Sequence, residues 1–324
     1  METKKKTFFA LKLLAFTVAL VLIMWAASPL FVPRWSTGAD GRTGDIARGF
    51  FAEEKNTLDV IFLGNSNVYP AVSPAIISEI SDTSSYVYAM GYQTVWVAYY
   101  LLYNMLDYQK PKAVFLDMDS AFTDEMYDDS YYRKAFDYVP LTAKKLETLS
   151  ADVFDYSFTD ILSYVFPIMR YKERVFELDS DCYKNYGKYE LNESKGFYTS
   201  DASVAFTGDL NYMADNGETE TMPEVVTEHL DKLVKLCEEN GIKLVLMNIP
   251  VAGKTNSFWN LARHNAVASY AEEKSLTYID FNLITDEIGI DWATDTYDGG
   301  IHLNKYGAEK ISKYLANYIK SEIG

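Results

Sequence analysis

Short apolar runs alternate with longer amphipathic segments in two parts of the chain. Runs rich in Val, Ile, Leu, Phe and Tyr lie at 58–63, 85–88, 113–116, 242–247 and 276–279. Each run is short and is bounded by polar or glycine residues, which predicts a buried strand. The segments between them, such as the largely apolar 94–108, favour helices. Strands interleaved with helices predict a parallel sheet.

Capping residues mark where several of these helices begin. Ser73-Pro74 and Asn304 have the residue types that start helices, and Thr221-Met-Pro-Glu224 has the pattern of a capping box before a helix ending at Gly241. A further helix is predicted over 257–273. We therefore expect a flavodoxin-like, three-layer α/β/α fold with a five-stranded parallel sheet. Ligands of such folds bind beyond the carboxyl ends of the strands.

The alternation of short apolar runs and amphipathic segments is lost between about 120 and 222. This stretch is rich in tyrosine and acidic residues, and its one clear amphipathic helix is predicted over Thr159–Tyr171. We interpret it as a mostly helical insertion. The predicted organisation is thus an α/β domain over 34–324 that carries this insertion.

Residues 1–33 have a different character. Lys4, Lys5 and Lys6 precede an apolar stretch, Phe8–Ala27, which is long enough as a helix to span about 30 Å of hydrocarbon. An uncleaved signal anchor, a cleaved signal peptide and a buried core helix are the alternatives. The length of the stretch favours the anchor. Lysines on the cytoplasmic side would place a single-pass protein in the cell membrane with its α/β domain outside the cell.

Composition and charge exclude several classes of function. The 324 residues carry a net charge of −16 without a stripe of Lys and Arg, which argues against nucleic acid as a partner. The two cysteines exclude a disulfide scaffold and a zinc ribbon. Walker and dinucleotide-binding motifs are absent, so we expect no cofactor. We also expect no metal, because Asp117 and Asp119 have no obvious further ligands.

The remaining cysteines and histidines are expected to have no role in chemistry. Cys182 lies in the insertion and Cys237 on a helix, so we expect two unpaired thiols. His264, mid-helix, is interpreted as structural, and His229, within a charged helix, as solvated.

Two short motifs carry residues that could perform chemistry. Gly64-Asn-Ser-Asn67 directly follows the first strand, where a serine hydroxyl can face the ligand crevice. Asp298-Gly-Gly-Ile-His302 precedes the last helix and combines a carboxylate with an imidazole. Each motif alone is typical of an ordinary turn. Together they lie at the same edge of the predicted sheet, so a serine, its base and an orienting acid could converge there.

These motifs make the chain similar to the SGNH (GDSL-type) hydrolases. The similarity is greater to their membrane-anchored extracytoplasmic branch, which includes the D-alanine-transfer protein of teichoic-acid modification and the alginate O-acetylation proteins. It covers 58–117 and roughly 224–324. The segments that carry it are Asp59–Tyr69, Ala89–Gln93, Tyr108–Asp117, Asn248–Val251, Arg263–Asn265 and Asp295–Gly307.

The resemblance implies a serine esterase or acyltransferase outside the cell. Ser66 would be the nucleophile, His302 its general base and Asp298 the acid that orients the histidine. Gly91 matches the glycine whose N–H stabilises the oxyanion, and Gln93 lies nearby. The implied partners are a carbohydrate or acylated polymer of the cell envelope, the membrane itself, and a membrane protein that takes part in acyl transfer.

The chain departs from the family pattern at three points. The acid and the histidine are four residues apart instead of three, which leaves Asp295 as an alternative acid to Asp298. Asp117-Met-Asp119 stands where the family has an asparagine, and Asn67 stands where this branch often has a histidine. The last two differences favour the alternative function, a catalytically inactive SGNH-fold binding or scaffold protein in an envelope-modification complex.

Overall fold

Five parallel strands form the central sheet of the computed structural model, which describes residues 2–33, 43–124, 128–184, 187–214, 217–252 and 259–324. The strands are β1 (Val60–Gly64), β2 (Ser85–Ala89), β3 (Ala113–Asp117), β4 (Lys243–Asn248) and β5 (Thr277–Asp280). Their order across the sheet is β2-β1-β3-β4-β5, and every neighbouring pair is parallel. This confirms the predicted α/β fold with its flavodoxin-like strand order.

Helices flank the sheet and also form a group of their own. In chain order they are α1 (Glu2–Phe31), α2 (Thr43–Ala52), α3 (Pro74–Ser81), α4 (Val95–Met105), α5 (Asp129–Phe136), α6 (Ala143–Leu149), α7 (Phe158–Val165), α8 (Ile168–Tyr171), α9 (Ser180–Lys184), α10 (Glu224–Glu239), α11 (Leu261–Glu273), α12 (Thr285–Ile288) and α13 (Lys305–Glu322). Helix α1 is long and apolar enough to cross a membrane over Lys5–Phe31.

Alternation along the strands divides the core between the two faces of the sheet. Val60 and Phe62 of β1 pack in one cluster with Ile311 and Leu315 of α13, and α13 packs against α3. Ile61 is equally buried and points to the opposite face, because successive strand side chains alternate. Helices α4 and α10 pack against each other. The apolar runs are therefore continuous because both faces are covered.

Two compact units are present. One comprises 35–139 and 190–324 and contains the sheet, and the other comprises 1–34 and 140–189. The middle of the predicted insertion, 140–189, thus groups with the N-terminal helix. Its flanks group with the sheet. The domain limits at 33, 120 and 222 stay predictions.

Two predicted helix starts are confirmed by their caps. The Ser73 side chain accepts a hydrogen bond from the Ile76 N–H at the start of α3. Asn304 accepts from the N–H groups of Tyr306 and Gly307 at the start of α13. Each cap satisfies donors that the first helical turn would otherwise leave without a partner.

One predicted cap and one predicted helix were wrong, although the helix that ends before Gly241 is present as α10. The Thr221–Glu224 capping box does not form: α10 starts after Pro223, which caps it without a side-chain bond, so Glu224 is the first helical residue instead of the third. The helix predicted over 159–171 is two helices. Proline disfavours a helical conformation for the residue before it, and Phe166 leaves the helix at φ −123° and ψ 77°, directly before Pro167.

The ends of two predicted helices differ, and one helix was not predicted. Helix α11 begins at Leu261 after the cap residue Asn260, and 257–258 of its predicted first turn lie outside the described residues. Helix α1 continues beyond Ala27 to Phe31. Helix α2 has no counterpart among the sequence predictions, although Ile46 and Phe50 are buried in the core.

Candidate active site

The turn after β1 places Ser66 at the carboxyl edge of the sheet. Gly64 ends the strand at φ 154°, where a Cβ atom would lie 2.6 Å from the Cβ atom of Asp117 and a methyl carbon of Val68. Only glycine fits such a close approach. The Asn65 side chain then accepts a hydrogen bond from the Asn67 N–H at 2.9 Å, which closes the turn. Ser66 is left partly exposed.

The turn before α13 builds a carboxylate–imidazole pair within five residues. Gly299 and Gly300 have φ values of 80° and 96°, which favour glycine. They allow Asp298 Oδ1 to accept hydrogen bonds from the N–H groups of Ile301 (3.3 Å) and His302 (2.8 Å). Asp298 Oδ2 lies 2.5 Å from His302 Nδ1. The two glycines thus accommodate the four-residue spacing between Asp298 and His302.

The structure brings the two turns together. His302 Nε2 lies 3.0 Å from Ser66 Oγ, well inside the separation of about 4 Å that we expect for a serine and its base. The Tyr297 ring stacks parallel to the imidazole, with 5.5 Å between ring centroids. Ser66, His302 and Asp298 therefore form one continuous hydrogen-bonded chain.

Electrostatics favours an ionised Asp298. Burial on its own would raise the pKa of this carboxyl group, but the hydrogen bonds from the side chain and backbone of His302 outweigh burial, and the net effect lowers the pKa. Burial, followed by the charge of Asp298, raises the pKa of the Tyr69 hydroxyl. Because an ionised carboxylate can only accept, His302 Nδ1 carries the proton and Nε2 can accept one from Ser66.

The structure places the alternative acid, Asp295, away from the imidazole. Its carboxylate is buried and lies 2.5 Å from Lys310 Nζ. It also accepts hydrogen bonds from the Asp291 N–H at 2.7 Å and the Thr294 hydroxyl at 3.1 Å. Asp295 thus holds the loop against α13, and the geometry favours Asp298 as the partner of His302.

Gly91 and Gln93 lie on the neighbouring turn, after β2. The Met90 N–H donates to the Gly64 carbonyl, which holds the two turns side by side. Within the described residues, the N–H groups of Ser66 and Gly91 donate no hydrogen bond. A Cβ on Gly91 would meet nothing within 4 Å, so there is open space beside it.

Two side-chain amides near these turns are buried without partners. Both amide atoms of Gln93 and both of Asn67 lack a hydrogen-bond partner among the described residues. Leaving a buried amide unsatisfied costs about 1–3 kcal/mol, so native proteins rarely do so without a reason. The sequence singled out Gln93 through the family resemblance. It marked Asn67 only as a departure from the family.

Asp117 and Asp119 occupy the position where the family has an asparagine. Asp117 is fully buried, and it accepts hydrogen bonds from the N–H groups of Ile249 and Asp119. Burial, and then the charge of Asp119, raises the pKa of Asp117 well above its usual range. Asp119 accepts a hydrogen bond from the Asn65 amide at 2.5 Å. Asn65 thus provides an amide at this position, although its donor is engaged by the carboxylate.

A segment of the predicted insertion, 198–206, forms hydrogen bonds beside both the serine turn and the histidine turn. The Tyr198 N–H donates to the Tyr69 carbonyl beyond the serine turn. The Val204 N–H donates to the Thr296 carbonyl, and the Thr296 hydroxyl donates back to Val204. This role was not predicted, because the bonds join segments distant in the chain and all but the Thr296 hydroxyl are backbone groups that any residue carries.

A second histidine–carboxylate pair, His264 and Asp280, lies along the same edge. His264 Nδ1 is 2.8 Å from Asp280 Oδ2, and this oxygen also accepts from Trp259 Nε1 (3.0 Å) and the Tyr278 hydroxyl (3.2 Å). Asp280 Oδ1 accepts from both the backbone and the side chain of Asn282. His264 was interpreted from the sequence as structural, and its position in this network agrees with that interpretation.

The third histidine corrects a sequence interpretation. His229 lies on a charged helix and was expected to be solvated, yet it is buried beside Tyr99 and Tyr100. Its Nδ1 is 2.7 Å from the Val225 carbonyl, and burial lowers its pKa. The charged residues occupy the other faces of α10, so the ring shares its face with the apolar side chains.

The remaining candidates for bonding or metal binding involve cysteines and acidic groups. Cys182 and Cys237 are both free thiols, as expected. Within the part of the chain that the structure describes, no cluster of three or more His, Cys, Asp or Glu side chains could hold a metal ion.

Comparisons with known proteins add a distant structural similarity. No protein-family model matches the chain, and no curated protein matches it. Among solved structures, the chain is similar to a candidate acylhydrolase from Bacteroides fragilis, with a TM-score of 0.39 and 10% sequence identity. The similarity covers 82% of this chain and 88% of the other. A similarity this low says nothing about activity, so the geometry of the site is the evidence on function.

Proposed function

We propose that this protein is an SGNH-type serine esterase or acyltransferase that acts on an acyl ester of a cell-envelope polysaccharide. The observation that carries the proposal is the chain of hydrogen bonds from Ser66 through His302 to Asp298. The order of these groups and the distances between them match the requirements of an activated serine nucleophile.

Acyl transfer through this site takes two steps. Ser66 Oγ attacks the ester carbonyl while His302 Nε2 takes its proton, and the tetrahedral intermediate collapses as His302 returns that proton to the departing alcohol. The product is an acyl-enzyme on Ser66. Water or a sugar hydroxyl, deprotonated by His302, then attacks the acyl carbonyl, and Ser66 recovers its proton. Water gives hydrolysis and a sugar hydroxyl gives transfer.

Two backbone N–H groups are suited to stabilise the negative oxygen of the intermediate. The N–H groups of Ser66 and Gly91 lie on adjacent turns and have no other acceptor among the described residues. The Gln93 amide is buried nearby with both of its atoms unsatisfied. Losing one such donor typically reduces kcat by about 10²–10³. These groups can take over the role of the asparagine that Asp119 replaces.

The cellular location and the substrate class rest on different support. The length and composition of helix α1 support anchoring in the cell membrane. The placement of the site outside the cell rests on Lys4, Lys5 and Lys6 before the helix. The envelope polysaccharide rests on the resemblance of the sequence motifs to the extracytoplasmic branch. A membrane protein that supplies the acyl group would fit a transferase of this kind.

The proposal is tested by labelling the full chain, in detergent, with a fluorophosphonate probe. The wild type should be labelled, and Ser66→Ala should not. Ser120→Ala is a matched control, because Ser120 is a partly exposed serine after β3 whose hydroxyl has no hydrogen bond to a histidine among the described residues. It should be labelled like the wild type. A folded wild-type protein that is not labelled and hydrolyses no acetyl ester would contradict the proposal and favour the scaffold alternative.

A competition assay then separates hydrolase from transferase. The enzyme is supplied with an acetyl ester donor in the presence and absence of a soluble polysaccharide. A transferase should move acetyl groups to the polysaccharide and release less free acetate. A hydrolase should release the same amount of acetate in both cases.

A further inference from the structure

The C-terminal end of α1 is held by a short segment of the same compact unit. Helix α1 contacts α8 and the 3₁₀ turn that follows it, Lys172–Phe176. Arg174 Nη1 donates a hydrogen bond to the Phe31 carbonyl at 2.7 Å. This carbonyl belongs to the last turn of α1, where the helix itself provides no donor. The position of 172–176 is therefore fixed relative to the end of the apolar helix.

This segment exposes large apolar side chains next to that hydrogen bond. Phe176 is 94% exposed, and Val175 is 51% exposed. Met169, in the preceding helix α8, is also exposed. We call Met169, Val175 and Phe176 the apolar patch. Adjacent exposed apolar residues of this size favour a site that is covered by something apolar.

The length of α1 sets the depth at which the apolar patch would lie. The apolar part of the helix, Lys5–Phe31, is 27 residues long and therefore extends about 40 Å. A bilayer measures about 30 Å across its hydrocarbon core and about 40–45 Å with the headgroup regions. With the lysines at one surface, Phe31 reaches the opposite interface. The Arg174–Phe31 bond keeps Val175 and Phe176 within about the length of one arginine side chain of that level.

Charged side chains of both signs surround the apolar patch. Arg170 and Lys172 are exposed, and so are Glu173 and Glu177, the second of which is paired with Arg174. The local charge is therefore balanced, and the depth of the patch is argued from helix α1 and from the exposed Val175 and Phe176.

We propose that the apolar patch lies in the outer interface of the membrane that α1 crosses, with Val175 and Phe176 among the acyl chains. This inference rests on the membrane anchoring included in the proposed function. Continuity with α1 identifies lipid as the occupant, because a segment bonded to the end of a membrane-spanning helix is already at the depth of the lipid headgroups. This contact with lipid would restrict the tilt of the compact unit 1–34 and 140–189 relative to the membrane.

Spin labels on single cysteines in the full chain test this in lipid nanodiscs that contain no other protein. The background variant is Cys182→Ser. Cys237 stays in place, because its thiol is buried and burial raises its pKa to about 12, which keeps it unreactive. Phe176→Cys carries the test label. Lys235→Cys is the aqueous control, on a charged face of α10, and Leu20→Cys is the lipid control within α1.

The readout is the collision rate of each label with oxygen, which partitions into lipid, relative to a water-soluble nickel complex. The label at 176 should favour oxygen, as the label at 20 does, whereas the label at 235 should favour nickel. A label at 176 as accessible to nickel as that at 235 would overturn the proposal. The same holds if the label becomes shielded only when a partner protein is added.

The outcomes remain separate from those of the proposed function. If the label at 20 lies in water, the anchoring itself is wrong and the patch proposal falls with it. Phe176→Cys should hydrolyse a soluble acetyl ester at the wild-type rate, because Phe176 belongs to a different compact unit from the catalytic residues. Absence of esterase activity in every variant would contradict the enzyme proposal and leave the depth measurement unchanged.

Discussion

The two histidine–aspartate pairs, His302–Asp298 and His264–Asp280, share the contact of Nδ1 with a carboxylate and differ in what Nε2 faces. In both pairs Nδ1 faces a carboxylate, at 2.5 Å in the first and 2.8 Å in the second. His302 Nε2 faces Ser66, whereas His264 Nε2 has no hydrogen-bond partner among the described residues. The same pair of side chains therefore forms a candidate base in one place and a structural contact in the other.

The carboxylates differ as much as the histidines. The Asp298 side chain is 29% exposed, and its donors come from its own turn, residues 301 and 302. The Asp280 side chain is 1% exposed and binds donors from α11, β5 and two loops. A carboxylate that joins several elements stabilises the fold, and one that serves a single ring orients that ring. Substitutions at the two pairs should therefore have different effects on activity and on stability.

The largest contrast should come from replacing each histidine by glutamine. His302→Gln can still donate to Asp298 but cannot accept the Ser66 proton, so kcat for an acetyl ester should fall by a factor on the order of 10⁶. His264→Gln can still donate to Asp280 and should leave kcat nearly unchanged. Steady-state kinetics on folded protein measures both. Equal losses in the two variants would remove the distinction between the pairs.

The next contrast concerns the acid that orients His302. Asp298→Asn should lower kcat by a factor on the order of 10⁴, because the amide favours the wrong tautomer of the imidazole. Asp295→Asn is the matched control, and it should keep its kcat per folded molecule while it unfolds at a lower temperature. Kinetics and thermal unfolding of both variants provide the measurement. The reverse ranking of rates would assign the orienting role to Asp295.

The stability of the fold should depend more on the Asp280 carboxylate than on that of Asp298. In Asp280→Asn, an NH₂ group replaces an oxygen that accepts buried hydrogen bonds, so donors face a donor. The free energy of unfolding in urea should fall by about 3 kcal/mol. Asp201→Asn removes the exposed ion pair with Lys305 and should leave the free energy of unfolding nearly unchanged, because solvent screens such a pair. Similar losses in the two variants would mean that the Asp280 network is not a structural centre.

The smallest effect is a dependence of stability on pH. The pKa of Asp298 is lowered by folding, so its stabilising contribution is complete above the unfolded value of about 3.9 and is lost as the pH falls through the folded value. Unfolding titrations below pH about 4 should show a shallower pH slope in Asp298→Asn than in the wild type. Identical slopes would indicate that the ion pair with His302 does not form.

Local patterns in the sequence predicted most of the sheet and the two turns of the candidate site. The strands are short apolar runs, and Gly299-Gly300 marks the turn that joins Asp298 to His302. Contacts between distant segments were not predictable in this way. Asp280 and its partner Trp259 are 21 residues apart, and the Val204–Thr296 bond joins residues 92 apart. No periodicity or spacing specifies such pairs, because tertiary packing creates them.

Individual errors have equally specific causes. The buried His229 shares α10 with many charged residues, and composition alone could not show which face it occupies. Pro167 divides a segment whose apolar spacing suits a single helix. Pro223 sets the first turn of α10, which moves Glu224 out of the capping position. In the site, the N–H groups of Ser66 and Gly91 donate no hydrogen bond among the described residues. The family resemblance indicated Gly91 in advance, whereas the freedom of the Ser66 N–H depends on backbone geometry that the residue types do not encode.

The role of Ser66 as nucleophile is tested by the mass of the protein during turnover. The full chain is mixed with an acetyl ester, quenched in acid within the first turnovers, and digested for mass spectrometry. The peptide containing Ser66 should gain the mass of one acetyl group. This adduct should be absent in Ser66→Ala and present in His264→Gln. An acetyl group on another residue, or ester hydrolysis that persists in Ser66→Ala, would contradict a nucleophilic Ser66.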